Sequence, residues 1–338
     1  MTSGVIGYYV HHVGAGHLNR ARAVAARSAA TVTGLSSLPA PGDWPGPWLT
    51  LDRDDRGADP VDPTAGGGLH WAPEHDEGLR RRMASLSAWI DRARPDAVVA
   101  DVSVEVALLA RLHGVPVVSV VLPGLRGDRP HRAAYAASSG LVAAWPERAV
   151  GMVSGLTPAD RRRLYHVGGL SRLPVGSSRP STNRRPSVLV LSGRGGGHPT
   201  LEQVRAAQAQ TRGWSWRTLG GAGEWLDDPA AALAEADVVV TQAGECAIAD
   251  VAAARRPTVV VPAARPFGEQ EATARALLRG RWPCRVIGTF PATGWSTLLD
   301  EVAALDGGRW RSWCDGRAAD RFADYLDAFA DRRRRRIA

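Results

Sequence analysis

The 338-residue sequence contains no lysine; all 42 of its basic residues are arginine. That absence excludes a phosphate-loop lysine, a lysine Schiff base to pyridoxal phosphate and a lysine general base. Cysteine is nearly as scarce. Cys246, Cys284 and Cys314 are far apart, odd in number and without a Cys-x-x-Cys pair, which fits a reducing compartment and offers neither a disulfide framework nor a thiolate metal site. No apolar run approaches the ~20 residues that span a bilayer. Residues 1–10 lack the basic start and apolar length of a signal peptide, so a cytoplasmic protein is expected. The net charge of +8 rides on a general Ala, Gly and Arg richness, which makes it weak evidence for a polyanion. No nucleic-acid partner is expected.

What the chain does contain is a repeated passage of apolar strand, glycine loop and helix. Residues 5–10 form an apolar run that enters His11-His-Val-Gly-Ala-Gly-His-Leu-Asn-Arg20, and a helical run over 21–30 follows. Residues 188–191 do the same into Ser192-Gly-Arg-Gly-Gly-Gly-His198, ahead of a helix from Thr200. Residues 237–241 then lead through Gln242-Ala-Gly244 into an alanine-rich helix, Pro257 ends that segment, and 258–261 form a further buried strand. A βαβα succession of this kind builds a doubly wound parallel sheet. The Pro-, Ser- and Arg-rich stretch 171–187 has the composition of a linker between two such units. Residues 36–76, rich in Pro, Gly and Asp, read as a long functional or poorly ordered loop.

In an open parallel sheet the loops at the carboxyl ends of the strands line the ligand crevice. Gln242, Gly244 and Glu245 therefore face the same cleft as Glu269 and Gln270. Gly244 opens a helix whose free N–H groups and dipole suit a phosphate. Arg194, Gly195 and Gly196 follow a strand directly and are placed to stabilise a leaving diphosphate. Asp250, on the helix after Gly244, suits ribose hydroxyls, while Glu269 and Gln270 suit a polyol. In the first loop, Gly14 and Gly16 precede Asn19 and Arg20, with Asn19 where a dinucleotide fingerprint has its third glycine. His17 is the candidate general base, and Asp101, at the carboxyl end of the strand over 97–100, is its candidate partner. His11 and His12 read as structural or substrate-lining. Asp52-Arg53-Asp54 has the form of an Asp-x-Asp metal motif, but no nucleotide-binding strand is read ahead of it, and no metal is expected.

At these residues the sequence resembles the donor-binding half of GT-B glycosyltransferases. The family is glycosyltransferase family 28, which adds N-acetylglucosamine to the lipid-linked peptidoglycan precursor, together with its relatives. Gly244 matches that family's turn, Asp250 its ribose acid, normally Glu, and Glu269 with Gln270 its polar pair; Thr273 stands where the family often has Asn. Gly14-x-Gly16-His17-x-x-Arg20 resembles the loop that opens its first domain. The resemblance implies an α/β fold with two Rossmann-like domains facing across a cleft and a C-terminal helix crossing back. The expected divisions are an acceptor domain over 1–170, a linker over 171–187, a donor-binding domain over 188–315, and a helix with a basic tail over 316–338. It implies a glycosyltransferase that uses a nucleotide-diphospho-sugar, UDP-sugar foremost, as co-substrate and no separate cofactor. Transfer would go to the hydroxyl of a small-molecule or lipid-linked acceptor, with inversion and without a metal. Two alternatives stand beside it: a nucleotide-sugar epimerase or hydrolase on the same fold, and a non-catalytic basic protein for polyanions or membrane. Arginine runs at 80–82, 161–163 and 332–336 are the candidates for peripheral contact with the inner membrane face.

Overall fold

The structure, a computed structural model, describes residues 4–55, 59–176, 185–221 and 223–337. The first half contains β1 (Val5–Val10), α1 (Ala15–Ala25), β2 (Thr31–Ser36), β3 (Trp48–Thr50), α2 (Glu77–Ala93), β4 (Ala97–Asp101), α3 (Val104–Leu112) and β5 (Val117–Val121). It continues through β6 (Gly124–Leu125), α4 (Arg129–Ala137), β7 (Gly140–Ala143), β8 (Val153–Ser154), α5 (Pro158–Arg163) and β9 (Leu164–His166). The second half contains β10 (Ser187–Leu191), α6 (Leu201–Gln210), β11 (Ser215–Leu219), α7 (Ala230–Glu235), β12 (Val238–Thr241) and α8 (Glu245–Ala254). It ends with β13 (Thr258–Val260), α9 (Glu269–Arg279), β14 (Cys284–Val286), α10 (Trp295–Ala303) and α11 (Ala318–Ile337).

These elements form two parallel sheets, ordered β3-β2-β1-β4-β5-β7-β9 and β11-β10-β12-β13-β14, beside a small β6-β8 pair. The β-branched runs of β4 and β12 are buried at every position, as strands covered on both faces must be. Side chains fix the helix starts. Asp76, Ser103 and Asp128 each accept a backbone N–H of the first turn, and Thr200 forms a reciprocal capping box with Gln203. Each sheet reverses its winding direction once, between β1 and β4 and between β10 and β12. Ligand crevices of doubly wound sheets open at such switch points.

The last helix packs on the first sheet. Phe322 and Leu326 of α11 are fully buried in one cluster with Tyr8 and Val10 of β1. Asp327 accepts from the Ser28 hydroxyl at 2.6 Å and the Ala29 amide at 2.8 Å. Where the chain passes between the halves the two crossings are tied together. The Gly169 amide donates to the Trp313 carbonyl at 2.7 Å, and Arg321 Nε donates to the Val167 carbonyl at 2.8 Å. A side chain at Gly169 would meet Trp313 Cδ1 at 2.5 Å, so glycine is required there. Trp145 and Met152 of the first half share an apolar cluster with Trp310 and Trp313. At about 25 cal/mol per Å² and ~200 Å² for each buried indole, burying each tryptophan favours folding by on the order of 5 kcal/mol.

Three expectations change. α1 starts at Ala15, not near residue 21, and ends at Ala25, because Gly14 adopts φ 97° and turns the chain directly into the helix. Residues 36–76 contain β3, which pairs with β2, and Trp48 Nε1 donates to the Leu38 carbonyl at 3.0 Å. The final helix continues through the arginine run to Ile337. Of the linker, residues 177–184 lie outside the described residues.

Candidate active site

β1 ends at the β1/β4 switch point, and the short turn after it carries the chain into α1. His17 therefore stands in the first turn of the helix, where its Nδ1 lies 2.9 Å from Asp101 Oδ1 at the end of β4. Asp101 is completely buried. Arg20, one turn further along α1, donates to both Asp101 oxygens at 2.9 and 3.1 Å. The Tyr8 hydroxyl adds a long contact of 3.5 Å. Burial opposes the Asp101 charge, but Arg20 and His17 outweigh it and hold the carboxyl below its ordinary range. An ionised carboxylate only accepts hydrogen bonds, so His17 Nδ1 carries the hydrogen and Nε2 presents a lone pair. The next residue, Val102, has φ 71°. That is a strained conformation for a β-branched side chain, and it sits where such strain collects, beside the candidate site.

The amino end of α1 meets the amino end of α8 from the other half. A Cβ at Gly16 would stand 2.8 Å from Cys246 Sγ, and Arg20 reaches Glu245 in a buried ion pair. Burial pushes the Glu245 carboxyl up, with Arg20 pulling the other way, and burial raises the Cys246 thiol to about 12, so it stays protonated. α8 starts at Gly244 with no side-chain cap, leaving its first amides and dipole to an outside acceptor.

On the second sheet the loops at the β10/β12 switch point close on each other. The Gly196 carbonyl accepts from Gln242 Nε2 and from Arg265 Nη2, both at 2.8 Å. Arg265 also bonds Gln242 Oε1 at 3.1 Å. Gln270 Oε1 accepts the Ala243 and Ala263 amides at 3.1 and 2.9 Å, pinning the loop before α8 to the loop before α9. Its Nε2 is left beside Gly244.

Residues 202–279 match the Glycosyltransferase family 28 C-terminal domain. The chain carries a glycosyltransferase domain. No curated protein matches it in sequence. Solved structures with the same overall fold include a glycotransferase of kitacinnamycin, at 17% identity and TM-score 0.63, covering 99% of both chains. MurG of Acinetobacter baumannii aligns at 17% identity and TM-score 0.61 over 96% of this chain and 99% of its own. A UDP-glucosyltransferase from Polygonum tinctorium capable of glucosylating indoxyl aligns at 15% identity and TM-score 0.65 over 98% and 100%. These are GT-B proteins, and the twin parallel sheets, the cleft between them and the returning α11 are that fold.

Within the glycosyltransferase, several predicted residues take other partners. Arg20, expected in a phosphate loop, is a helix residue spent on Asp101 and Glu245; Gly16 and Asn19 are likewise helical, while Gly14 caps the turn. Asp250 faces the crossing between the halves. It accepts from Ser171 Oγ at 2.6 Å and lies 3.7 Å from Arg172 Nε, and burial pushes its carboxyl up. There a cavity of about 700 Å³ is lined by Asn19, Arg22, Ser171, Arg172 and Asp227 among others. Arg194 stacks over Trp225 at 4.4 Å, and a Cβ at Gly195 would stand 2.9 Å from Arg265 Nη2, so the Arg265 guanidinium closes over that glycine. Glu269 accepts from Arg126 Nη2 at 2.6 Å, and Arg126 lies over the Phe267 ring at 4.7 Å.

Arg126 is the residue the sequence reading missed. Its one local signal is its place five residues past the carboxyl end of β5, among the loops of the same sheet edge, just after Pro123-Gly124. Among the arginine runs, Arg82 is buried with Asp54, and Arg163 bonds Asp160 and the Ser138 carbonyl. The pairing of Asp54 with Arg82 also occupies one acid of the Asp-x-Asp motif. Among the described residues, no helix is long and apolar enough to cross a membrane.

Proposed function

We propose that this glycosyltransferase moves a sugar from a nucleotide-diphospho-sugar, with uridine as the base, to an acceptor hydroxyl held against the first half. The observation that carries the reading is the His17–Asp101 pair, set at one switch point and facing the uncapped start of α8 across the cleft. His17 Nε2 takes the acceptor proton as the acceptor oxygen bonds to the anomeric carbon. The bond from that carbon to the diphosphate oxygen breaks on the opposite face, which gives inversion. The α8 amides, Arg265 and the glycine loop at 195–196 receive the departing charge, the work that a metal ion does in other phosphate sites. Asp101 orients the imidazole and supports its positive charge once the proton has moved.

The UDP-glucosyltransferase among the structural neighbours supports the choice of base. We take residues 1–170 as the acceptor unit and 188–315 as the donor unit. In this reading Asp250 and Ser171 meet the ribose, and Glu269 and Gln270 meet the sugar. The cavity beside Ser171 and Arg172 lies at the nucleoside end. Of the arginine runs, Arg82 and Arg163 are spent inside the fold and unavailable to a membrane; co-sedimentation with anionic vesicles tests whether the others make that contact.

The function is tested by a thermal-shift screen of nucleotide sugars, followed by mass spectrometry of acceptor mixtures with the best hit. Stabilisation by a UDP-sugar and a product heavier by one sugar are expected. Consumption of the donor at the same rate with and without acceptor would support a hydrolase or epimerase instead.

A further inference from the structure

A second cavity, of about 290 Å³, lies in the first half and is lined by His11, His12, Trp71, Met83, Arg82 and Val106 among others. The rings of His11 and His12 stack with centroids 4.9 Å apart, and His11 meets the His17 ring edge-on at 5.9 Å. One wall of the cavity is thus a single ring away from the candidate base. At the ~0.75 packing density of protein interiors, the space holds a ligand body on the order of 200 Å³, a small fused-ring molecule.

The charges around this cavity are already matched. Arg82, the only arginine lining it among the described residues, is paired with Asp54 and also bonds Tyr9 Oη at 3.3 Å and Ser37 Oγ at 3.1 Å. Asp55 accepts from Arg53 Nε at 2.8 Å and pairs with His12 Nε2 at 3.2 Å. Glu105 accepts the His70 and Trp71 amides at 2.8 and 3.2 Å and the Ser103 hydroxyl at 3.1 Å. An anionic ligand would meet three carboxylates and no free arginine.

One polar atom stands out. The His12 side chain is only 5% exposed, and its Nδ1 is buried without a partner among the described residues. Asp55 can only accept, so Nε2 carries the hydrogen of that bond, and an imidazole with one hydrogen leaves Nδ1 as a lone pair awaiting a donor. Buried polar atoms are almost always hydrogen-bonded, and an exception on a cavity wall points to a ligand.

We propose that this cavity binds the acceptor, and that the acceptor is an uncharged aromatic or fused-ring molecule. One of its O–H groups donates to His12 Nδ1, and its ring lies against Trp71 and Met83. The proposal rests on the transfer function above and deepens it by naming the acceptor class: a neutral aromatic in place of a diphosphate-linked lipid.

Calorimetry on the full-length protein tests the assignment with 7-hydroxy-4-methylcoumarin, its 7-methoxy analogue, which lacks the donor, and geranyl diphosphate. At pH 6.5, where the hydroxycoumarin is neutral, it should bind at least tenfold tighter than the methoxy compound, and geranyl diphosphate should not displace it. His12→Phe, which keeps a stacking ring but removes the acceptor nitrogen, should abolish that preference. Equal or absent binding of the two coumarins to the parent protein, or displacement by geranyl diphosphate, overturns the proposal whether or not the variant folds. Turnover is read separately. With 5,7-dihydroxy-4-methylcoumarin, whose second O–H is free for His17 while the first meets His12, binding without glycosylation by any UDP-sugar would sink the transfer function and leave the pocket standing. Transfer to a diphosphate-linked acceptor by a protein that ignores both coumarins would do the reverse.

Discussion

Arg20 and Glu245, separated by 225 residues, form a buried ion pair across the cleft, and the same guanidinium grips both oxygens of Asp101. Removing a partner from a buried pair leaves a carboxylate without compensation, at a cost of about 3–5 kcal/mol. Arg20→Ala should lose stability of that size in chemical denaturation and should expand the particle in small-angle scattering. Glu245→Gln, whose carboxyl burial already pushes up, should cost much less. Equal losses for the two variants would contradict this account.

His17→Ala removes the proton acceptor while leaving the second half untouched. A fall in kcat of about 10²- to 10⁴-fold is expected, with the UDP-sugar Kd from calorimetry changed by less than about twofold. Transfer at the parent rate would rule His17 out as the base.

Gly16 and Cys246 touch so closely that a single methyl should part them. Gly16→Ala should raise the donor KM, because the two helix ends no longer close together. Adding Cys246→Ala, which removes the opposing sulfur, should restore it. Failure of the second change to rescue the first would mean that the contact does not govern closure.

Gln270 serves two loops with one oxygen. Gln270→Leu leaves the Ala243 and Ala263 amides without that partner, at about 1–3 kcal/mol for each one that stays buried. A lower melting temperature and weaker donor binding should appear together, the second because Gly244 shifts with its loop. Normal stability with lost binding would instead point to direct contact between Gln270 and the donor.

Burial, above all, holds His11 and His131 down at about 4, against an ordinary value of 6.5. Because the unfolded chain takes up these protons more readily, stability is full above 6.5 and drains as pH falls toward 4. The slope reaches about 1.4 kcal/mol per pH unit for each histidine. Urea midpoints measured from pH 7 down to 4.5 should fall accordingly, and His131→Gln should flatten the decline. A flat parent profile would show that neither imidazole resists its proton.

Much of this was legible from the chain. The fully apolar runs of β1, β4, β10 and β12 announce parallel strands, and glycines after three of them announce the loops that line the cleft. With strand ends aligned by the sheet, His17 and Asp101 had to come near each other. The start of α1 was not legible, since Gly14 and Gly16 locally disfavour helix; Gly14 is needed for its positive φ at the turn and Gly16 for the close approach of Cys246 on α8. The roles of Arg20 and Arg126 depend on acids 225 and 143 residues away, and no local pattern carries such a pairing. Asp250 illustrates the same limit from the other side: its helix was evident, but its bond to Ser171 belongs to the way the halves are joined.

Because α11 returns to the first sheet, the donor half is an excursion from a body that holds both flanking segments. The bond from Gly169 to Trp313 clamps the outgoing and returning passages to each other. A module mounted on two clamped straps cannot swivel freely; it can swing only about a line running through both. Spectroscopic labels on the two halves should therefore report one angular coordinate as the donor enters and leaves, and removing the Gly169 N–H hydrogen bond by Gly169→Pro, with Trp313→Ala to clear the ring a side chain there would strike, should release a second.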